Sequence, residues 1–300
     1  MHANKQRLIV VLVVTAGLVA KLHGQERREI EIRTIPVAEN VYMLMGAGGN
    51  LGLSVGDDGA LLIDSEYAPL TEKVTAAVKA VCKEPIRFVI NTHWHFDHVG
   101  GNENLAKAGA VVVAHENVRK RMSTEQVLRG IDRKVPPSPT GALPVVTFSD
   151  RLRFHWNGDE VEVLHVEPAH TDGDSIVHFR KANVLHVGDT WFNGTYPFID
   201  VNAGGSIDGM IRAVDRALAL ADEKTRVIPG HGPLSGVAEL REYRQMLATV
   251  RDRVRALIEQ GKSREEVIAA QPTKDLDEKW GGAFAPDMWV GIVYDGMMNE

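Results

Sequence analysis

Residues 91–101 read NTHWHFDHVGG, with three histidines and an aspartate inside six positions, directly after the apolar run Phe88 to Ile90. A strand ending at Ile90 delivers His93, His95, Asp97 and His98 into one tight loop at a sheet edge. Imidazole and carboxylate suit zinc and its borderline neighbours manganese and iron. Histidines two apart can reach one cation from an extended backbone, because alternate side chains leave on the same side. The plain alternative is a polar loop whose histidines only hydrogen-bond. One loop supplies too few donors for closed coordination, so others must come from elsewhere in the chain. Three candidates follow expected strand ends: His170 in EPAHTDGDS, Asp189 in HVGDTWF and His231 in IPGHGP.

The rest of the pattern is that of a mixed α/β protein. In NLGLSVGDDGALLID, Asp58-Gly59 predicts a hairpin turn between strands Leu51 to Val55 and Ala60 to Ile63. Helical and apolar extended segments then alternate: Leu70 to Val81 before Arg87 to Asn91, and Glu103 to Ala108 before Val111 to Ala114. PPSPTGALP, Pro136 to Pro144, reads as a loop inside one domain. Strands resume at Arg151 to His155, Glu160 to Val166, Ser175 to Phe179 and Val184 to Val187, followed by a helix over Ile207 to Ala221 and a strand at Arg226 to Ile228. Gly236 to Gln260 is a long helical pattern, and Ser263 with Glu266 three positions later forms a capping signature for the next helix. Two β-rich halves, each closing with helices, imply two sheets packed face to face with helices outside.

The first residues have a different character. Lys5 and Arg7 precede the 13-residue apolar stretch Leu8 to Ala20, which is short for a membrane span, and small and polar residues follow to Gly24 and Gln25. We read residues 1–24 as a secretory signal peptide, with a periplasmic or secreted product and no stable membrane insertion after cleavage; an uncleaved anchor is the alternative. Cleavage there leaves 31 Lys and Arg against 40 Asp and Glu, a formal charge of −9. Such a surface repels phosphate backbones and argues against a nucleic-acid partner. The one cysteine, Cys82, excludes an intrachain disulfide and reads as a small buried apolar residue on a helix.

NTHWHFDHVGG, AHTDGDS, GDT and PGHGP, in this order, resemble the signature of the metallo-β-lactamase-fold hydrolases, over about Ile35 to Leu234. The resemblance implies an αββα four-layer sandwich, here a single hydrolase domain over residues 25–300, with a two-metal site at one edge of the sheets. It places His93, His95 and His170 on the first divalent cation, Asp97, His98 and His231 on the second, and Asp189 between them. Zinc is the first expectation, with manganese or iron as alternatives. Such a pair of cations makes hydroxide available at neutral pH, and Asp97 is the candidate catalytic residue, moving a proton to the leaving group.

One departure sorts the substrates. The lactamases with this motif that the chain resembles most in general form have cysteine at the position of Asp189, or no ligand there. An aspartate resembles the broader hydrolases, including hydroxyacylglutathione-type thioesterases and lactonases. The expected partner is thus a small-molecule acyl substrate, an ester, thioester, lactone or amide, with β-lactam hydrolysis as the alternative and a non-catalytic metal-binding or interaction protein as the reading from another class. A two-iron redox relative would be expected to carry glutamate in place of His95 and an added flavin domain. Nothing in the sequence sets an oligomeric state.

His155, His165, His178 and His186 lie in or beside apolar strands and read as structural, with His165 the one rival ligand; His115 reads as a surface or capping residue. Trp94 and Phe96 alternate with the ligands, and Trp191, Phe192, Tyr196 and Phe198 follow Asp189. These either pack between layers or wall a cleft for an apolar acyl group. Asn193 is a candidate oxyanion donor. The tail WGGAFAPDMWVGIVYDGMMNE either covers the cleft or packs elsewhere.

Overall fold

The computed structural model describes residues 30–128, 133–282 and 284–299. The leader expected at residues 1–24 lies outside the described residues. The chain divides into the units Met1–Glu31 and Ile32–Glu300, and the second holds every element below.

In chain order these are strands β1 (Arg33–Ala38), β2 (Val41–Met45), β3 (Leu51–Ser54) and β4 (Ala60–Ile63), helix α1 (Thr71–Val81), strand β5 (Ile86–Asn91), short helices α2 (Phe96–Val99) and α3 (Asn102–Lys107), strand β6 (Val111–His115) and helix α4 (Glu116–Met122). A small hairpin of β7 (Gln126–Leu128) and β8 (Arg133–Val135) follows, then β9 (Val146–Phe148), β10 (Arg151–Trp156), β11 (Asp159–His165), β12 (Ser175–Phe179) and β13 (Val184–His186). The last part contains α5 (Ile207–Leu220), β14 (Arg226–Ile228), β15 (Ser235–Gly236), α6 (Val237–Glu259), α7 (Arg264–Ala269), α8 (Asp277–Trp280) and α9 (Pro286–Met298).

One sheet has the strand order β1-β2-β3-β4-β5-β6-β9 and the other β10-β11-β12-β13-β14-β15. The Asp58-Gly59 turn closes the antiparallel pair β3–β4, with Gly52 opposite Ile63 and Gly59 at φ 108°. A left-handed backbone is readily adopted only by glycine, which is why that turn carries one. β4, β5, β6 and β9 run parallel. ALLI and VVVAH lack a polar alternation because strands of a parallel sheet are covered on both faces.

Three apolar layers define the sandwich. Between the sheets, Leu61, Ile63, Ile90 and Val113 meet Val161, Val163, Val177 and Ile228. On the outer face of the first sheet, Leu62, Val89 and Val112 pack with Val74 and Val78 of α1 and Leu105 of α3. Outside the second sheet, Ile176, Leu185 and Val227 pack with Met210 and Val214 of α5, Leu240 and Leu247 of α6, and Trp289 of α9. Leu61 and Ile63 face one layer and Leu62 the other, as a period of two requires. This is the αββα order expected. No helix among the described residues is long and apolar enough to cross a membrane.

Some expectations change in detail. Cys82 is buried against α1 but stands just past its last residue. His115 caps α4, its ring accepting from the Asn117 N–H, yet it is buried and not a surface residue, stacked on His165 at 3.7 Å. The edge strands β1 and β9, strand β2 beside β1, and helices α4 and α9 carry no strong periodic signal, and tertiary packing decides them.

Candidate metal centre

β4 and β5 are parallel neighbours, so their carboxyl ends open at the same edge of the sheet, where ligands of α/β proteins gather. Asp64 leaves β4 there and the His93 loop leaves β5. His93 and His95 point into the edge while Trp94 between them is buried in the helix-side core. The chain then turns at once into α2, whose first bonds, His98 N–H and Val99 N–H to the His95 carbonyl at 2.9 and 3.0 Å, bring Asp97 and His98 round to the same place.

The second sheet supplies the remainder. His170 stands in the loop between β11 and β12, shaped by the buried Asp174 carboxylate, which accepts from the His170 and Thr171 N–H groups at 2.7 and 2.9 Å and from the Thr171 hydroxyl at 2.6 Å. Asp189 sits in a 3-10 turn after β13, where Gly188 at φ 52° leaves no room for a side chain against Thr92. His231 follows β14 and stacks on Phe192 at 4.9 Å.

All seven expected residues converge in two adjoining groups. His93, His95, His170 and Asp189 form one, and Asp97, His98 and His231 the other, with the donor atoms of each group within 4.8 Å of one another. Asp189 lies between them, Oδ2 at 3.5 Å from His170 Nε2 and 3.4 Å from His231 Nε2, Oδ1 at 3.1 Å from His98 Nε2. Asp97 Oδ2 lies 3.3 Å from His231 Nε2 and 3.7 Å from His98 Nε2. The rival, His165, stands outside both groups, its Nδ1 at 2.9 Å from the Asp174 carbonyl.

The donor set fits transition-metal cations. His93 Nε2 is buried with no hydrogen-bond partner. Imidazole nitrogens also face one another, His170 Nε2 to His95 Nδ1 at 2.8 Å and His98 Nε2 to His231 Nε2 at 3.4 Å. Convergent lone pairs in a dry site are costly unless a cation or proton lies among them. Burial, aided by the neighbouring His95, pushes the His170 imidazolium down to about 4, and burial together with His98 holds that of His93 well below its ordinary range. At His98 and His231 burial acts in the same direction, but the Asp189 and Asp97 carboxylates outweigh it. They raise His98 well above the usual imidazole range and His231 to about 9.

The outward ring nitrogens are anchored by groups outside the seven expected residues. His98 Nδ1 meets Asp64 Oδ2 at 2.8 Å, and Asp64 in turn accepts from the Thr92 N–H and hydroxyl, each at 2.8 Å. His95 Nε2 meets Asp200 Oδ2 at 3.1 Å, and His170 Nδ1 meets the Phe198 carbonyl at 2.8 Å. Glu66 accepts from the Ala47 and Gly48 N–H groups at 2.6 and 2.8 Å and so fixes the glycine loop above Asp97. Of these, Asp64 was open to detection, since it directly follows the strand run ALLI beside β5.

Asp97 and His231 are the partly exposed members, at 14% and 28%, and they border a cavity of about 260 Å³. Phe96, Phe192, Phe198, Phe284 and Leu128 line it, so part of the aromatic set does wall a cleft, and Phe284 brings the C-terminal tail to it. Trp94, Trp191 and Tyr196 belong to the core instead. The Asn193 amide donates one N–H to the Pro233 carbonyl at 2.8 Å and stands outside the residues that line the cavity.

The chain is 28% identical to the α subunit of 2,4-dinitroanisole O-demethylase of Nocardioides sp. over 57% of its length and 50% of that protein. It is 27% identical to a hydroxyacylglutathione hydrolase of Pelagibacter ubique over 49% and 52% of the two chains. It thus spans about half the length of these curated relatives. Solved structures with the same fold include a metallo-β-lactamase from Pontibacter korlensis, at a TM-score of 0.60 and 21% identity over 73% of this chain and 99% of that one. Another is the sec-alkylsulfatase Pisa1 from Pseudomonas sp., at 0.65 and 19% over 88% and 50%. The family model of the metallo-β-lactamase superfamily matches residues 46–240, the span that contains all seven of these side chains, and the chain belongs to that superfamily.

Proposed function

We propose that the protein is a binuclear metal-dependent hydrolase of small acyl substrates, cleaving an ester, thioester, lactone or amide. The observation that carries this is the opening of Asp97 and His231, at the edge of a seven-donor His/Asp site, onto a cavity walled by phenylalanines. His93, His95 and His170 would hold one cation, Asp97, His98 and His231 the second, with Asp189 shared. The set contains no thiolate and suits zinc, with manganese or iron as alternatives. Two such cations supply hydroxide at neutral pH and Lewis acidity toward an acyl oxygen.

The chain's own residues do the rest. Phe96, Phe192, Phe198 and Phe284 bind the apolar acyl body and exclude water from it. Asp97 has its carboxyl held to about 2, because the neighbouring His98 and His231 outweigh the burial that opposes ionisation. It is therefore a carboxylate at neutral pH, placed at the cavity edge to accept the proton of an attacking water and return it to the leaving group. Asp64 and Asp200 keep His98 and His95 oriented.

Asp189 ranks acyl esters, thioesters and lactones ahead of β-lactams, since the charge between the cations sets how well an anionic leaving group is accepted. The test is elemental analysis of purified protein, with two transition-metal ions per chain expected, followed by specificity constants on a panel of these classes with zinc and manganese. A single ion in fully loaded protein rejects the binuclear site. A β-lactam with the highest constant in both metal forms replaces this reading with the lactamase one. Lys5, Arg7 and the Leu8 to Ala20 stretch support export to the periplasm or medium; N-terminal mass analysis of protein expressed from its native start should find chains beginning near Lys21 to Glu26.

A further inference from the structure

The described residues lining the acyl cavity include no lysine or arginine. A cation nevertheless stands at its rim. Arg133, on β8, is directly opposite Leu128 of β7, and Leu128 lines the cavity. The Arg133 guanidinium carbon lies 3.7 Å from the centre of the Phe96 ring, which lines it too and also stacks on Tyr67. Arg121, Arg244 and Arg253 each hold a carboxylate of this chain, Asp172, Asp215 and Asp275. Arg133 has no carboxylate partner among the described residues and is held by an aromatic face instead.

That difference has chemical content. A guanidinium held over a ring is engaged through its charge and not through its N–H donors, which can grip a carboxylate through two parallel hydrogen bonds. We propose that Arg133 is a specificity-determining residue that binds a carboxylate carried by the substrate, at the end of the acyl body remote from the scissile bond. This deepens the hydrolase reading and rests on it for the word substrate. A monoanion suits the place better than a phosphate dianion, because Asp97 and Asp189 face the same cavity and the protein is acidic overall.

Two ligand pairs test it on the full chain. The first is an aliphatic thioester with a methyl terminus and the same thioester with a terminal carboxylate. The second is the corresponding pair of ketones, which cannot be hydrolysed and whose binding is followed by titration calorimetry. We expect the carboxylate member to be favoured at least tenfold in kcat/KM, mainly through KM, and in ketone affinity, with the preference weakening as salt rises. In Arg133→Met the ratio within each pair should fall to within about twofold, and Arg133→Lys, which keeps the charge and loses the fork, should lie between. A wild-type protein that shows no preference, or an Arg133→Met protein that weakens both members equally and keeps the ratio, overturns the proposal. If neither thioester is cleaved but the ketone preference is present and depends on Arg133, the carboxylate site stands and the hydrolase reading falls.

Discussion

His95 is held at both ends: its Nε2 meets the Asp200 carboxylate at 3.1 Å, so that Nδ1 is the nitrogen presented to His170 at 2.8 Å and to the centre of the site. Asp200 is buried and also caps the turn that follows it through the Ala203 N–H. Such outer carboxylates fix the tautomer and raise the basicity of a ligating imidazole. Asp200→Ala should weaken metal affinity by roughly 10–100-fold, and Asp200→Asn, which still accepts a hydrogen bond, should weaken it less. Competition with a chromophoric chelator measures both. Equal affinity in all three proteins would remove Asp200 from the site.

Asp97→Asn separates proton transfer from metal binding. The amide keeps one oxygen donor but loses the charge and the basic oxygen, so turnover should fall by about 10²–10⁴ while bound metal changes little. Parallel loss of metal and activity would make Asp97 a ligand only.

Metal uptake should release protons. In the metal-free protein His231 is pushed up to about 9 and His98 lies well above the ordinary imidazole range, so both carry protons at pH 7. A cation must displace them. Affinity should therefore rise as pH increases toward 9 and fall as it decreases, with up to about two protons released per chain at pH 7. Calorimetry in buffers of different ionisation enthalpy reads the number directly, and identical heats in all buffers would contradict it.

Gly49 is a steric requirement of the site. A Cβ there would stand 2.1 Å from His98 Cε1, and His98 is pinned from behind by Asp64. Gly49→Ala should destabilise the protein by about 1–3 kcal/mol and lower the occupancy of the Asp97, His98 and His231 group. Gly109→Ala is the control, because its Cβ would meet nothing within 4 Å and only its φ of 101° is strained. Denaturation curves with metal stoichiometry distinguish the two.

Much of the site was legible because its residues announce themselves by type and spacing. His93, His95, Asp97 and His98 share one loop, and His170, Asp189 and His231 each follow a recognisable strand end. The parallel strands and the long helices were legible from apolar runs and 3.6-residue periodicity. Asp200 and Glu66 were not, because what they do depends on contacts with His95 and with the Ala47 and Gly48 amides that no local pattern encodes. Asn193 shows the reverse: a donor plausible by position gives one N–H to the Pro233 carbonyl and stands outside the cavity lining. Arg133 was invisible for a similar reason, since its meaning comes from the ring beneath it.

Four of the seven side chains follow β5 of one sheet, and the other three stand in loops beside β11, β13 and β14 of the other. Any cation bound among them is thus a rivet between the two halves of the sandwich, closing a loop from His98 to His231. The rivet cannot form until both sheets have paired, so metal has little to hold in early folding and much to hold afterwards. It should slow the parting of the halves and raise the melting temperature with metal concentration, by about 2.7 kcal/mol for each site at a hundredfold excess over its dissociation constant. Chelation would then make the protein easier to pull apart along the seam between the sheets before it alters either sheet.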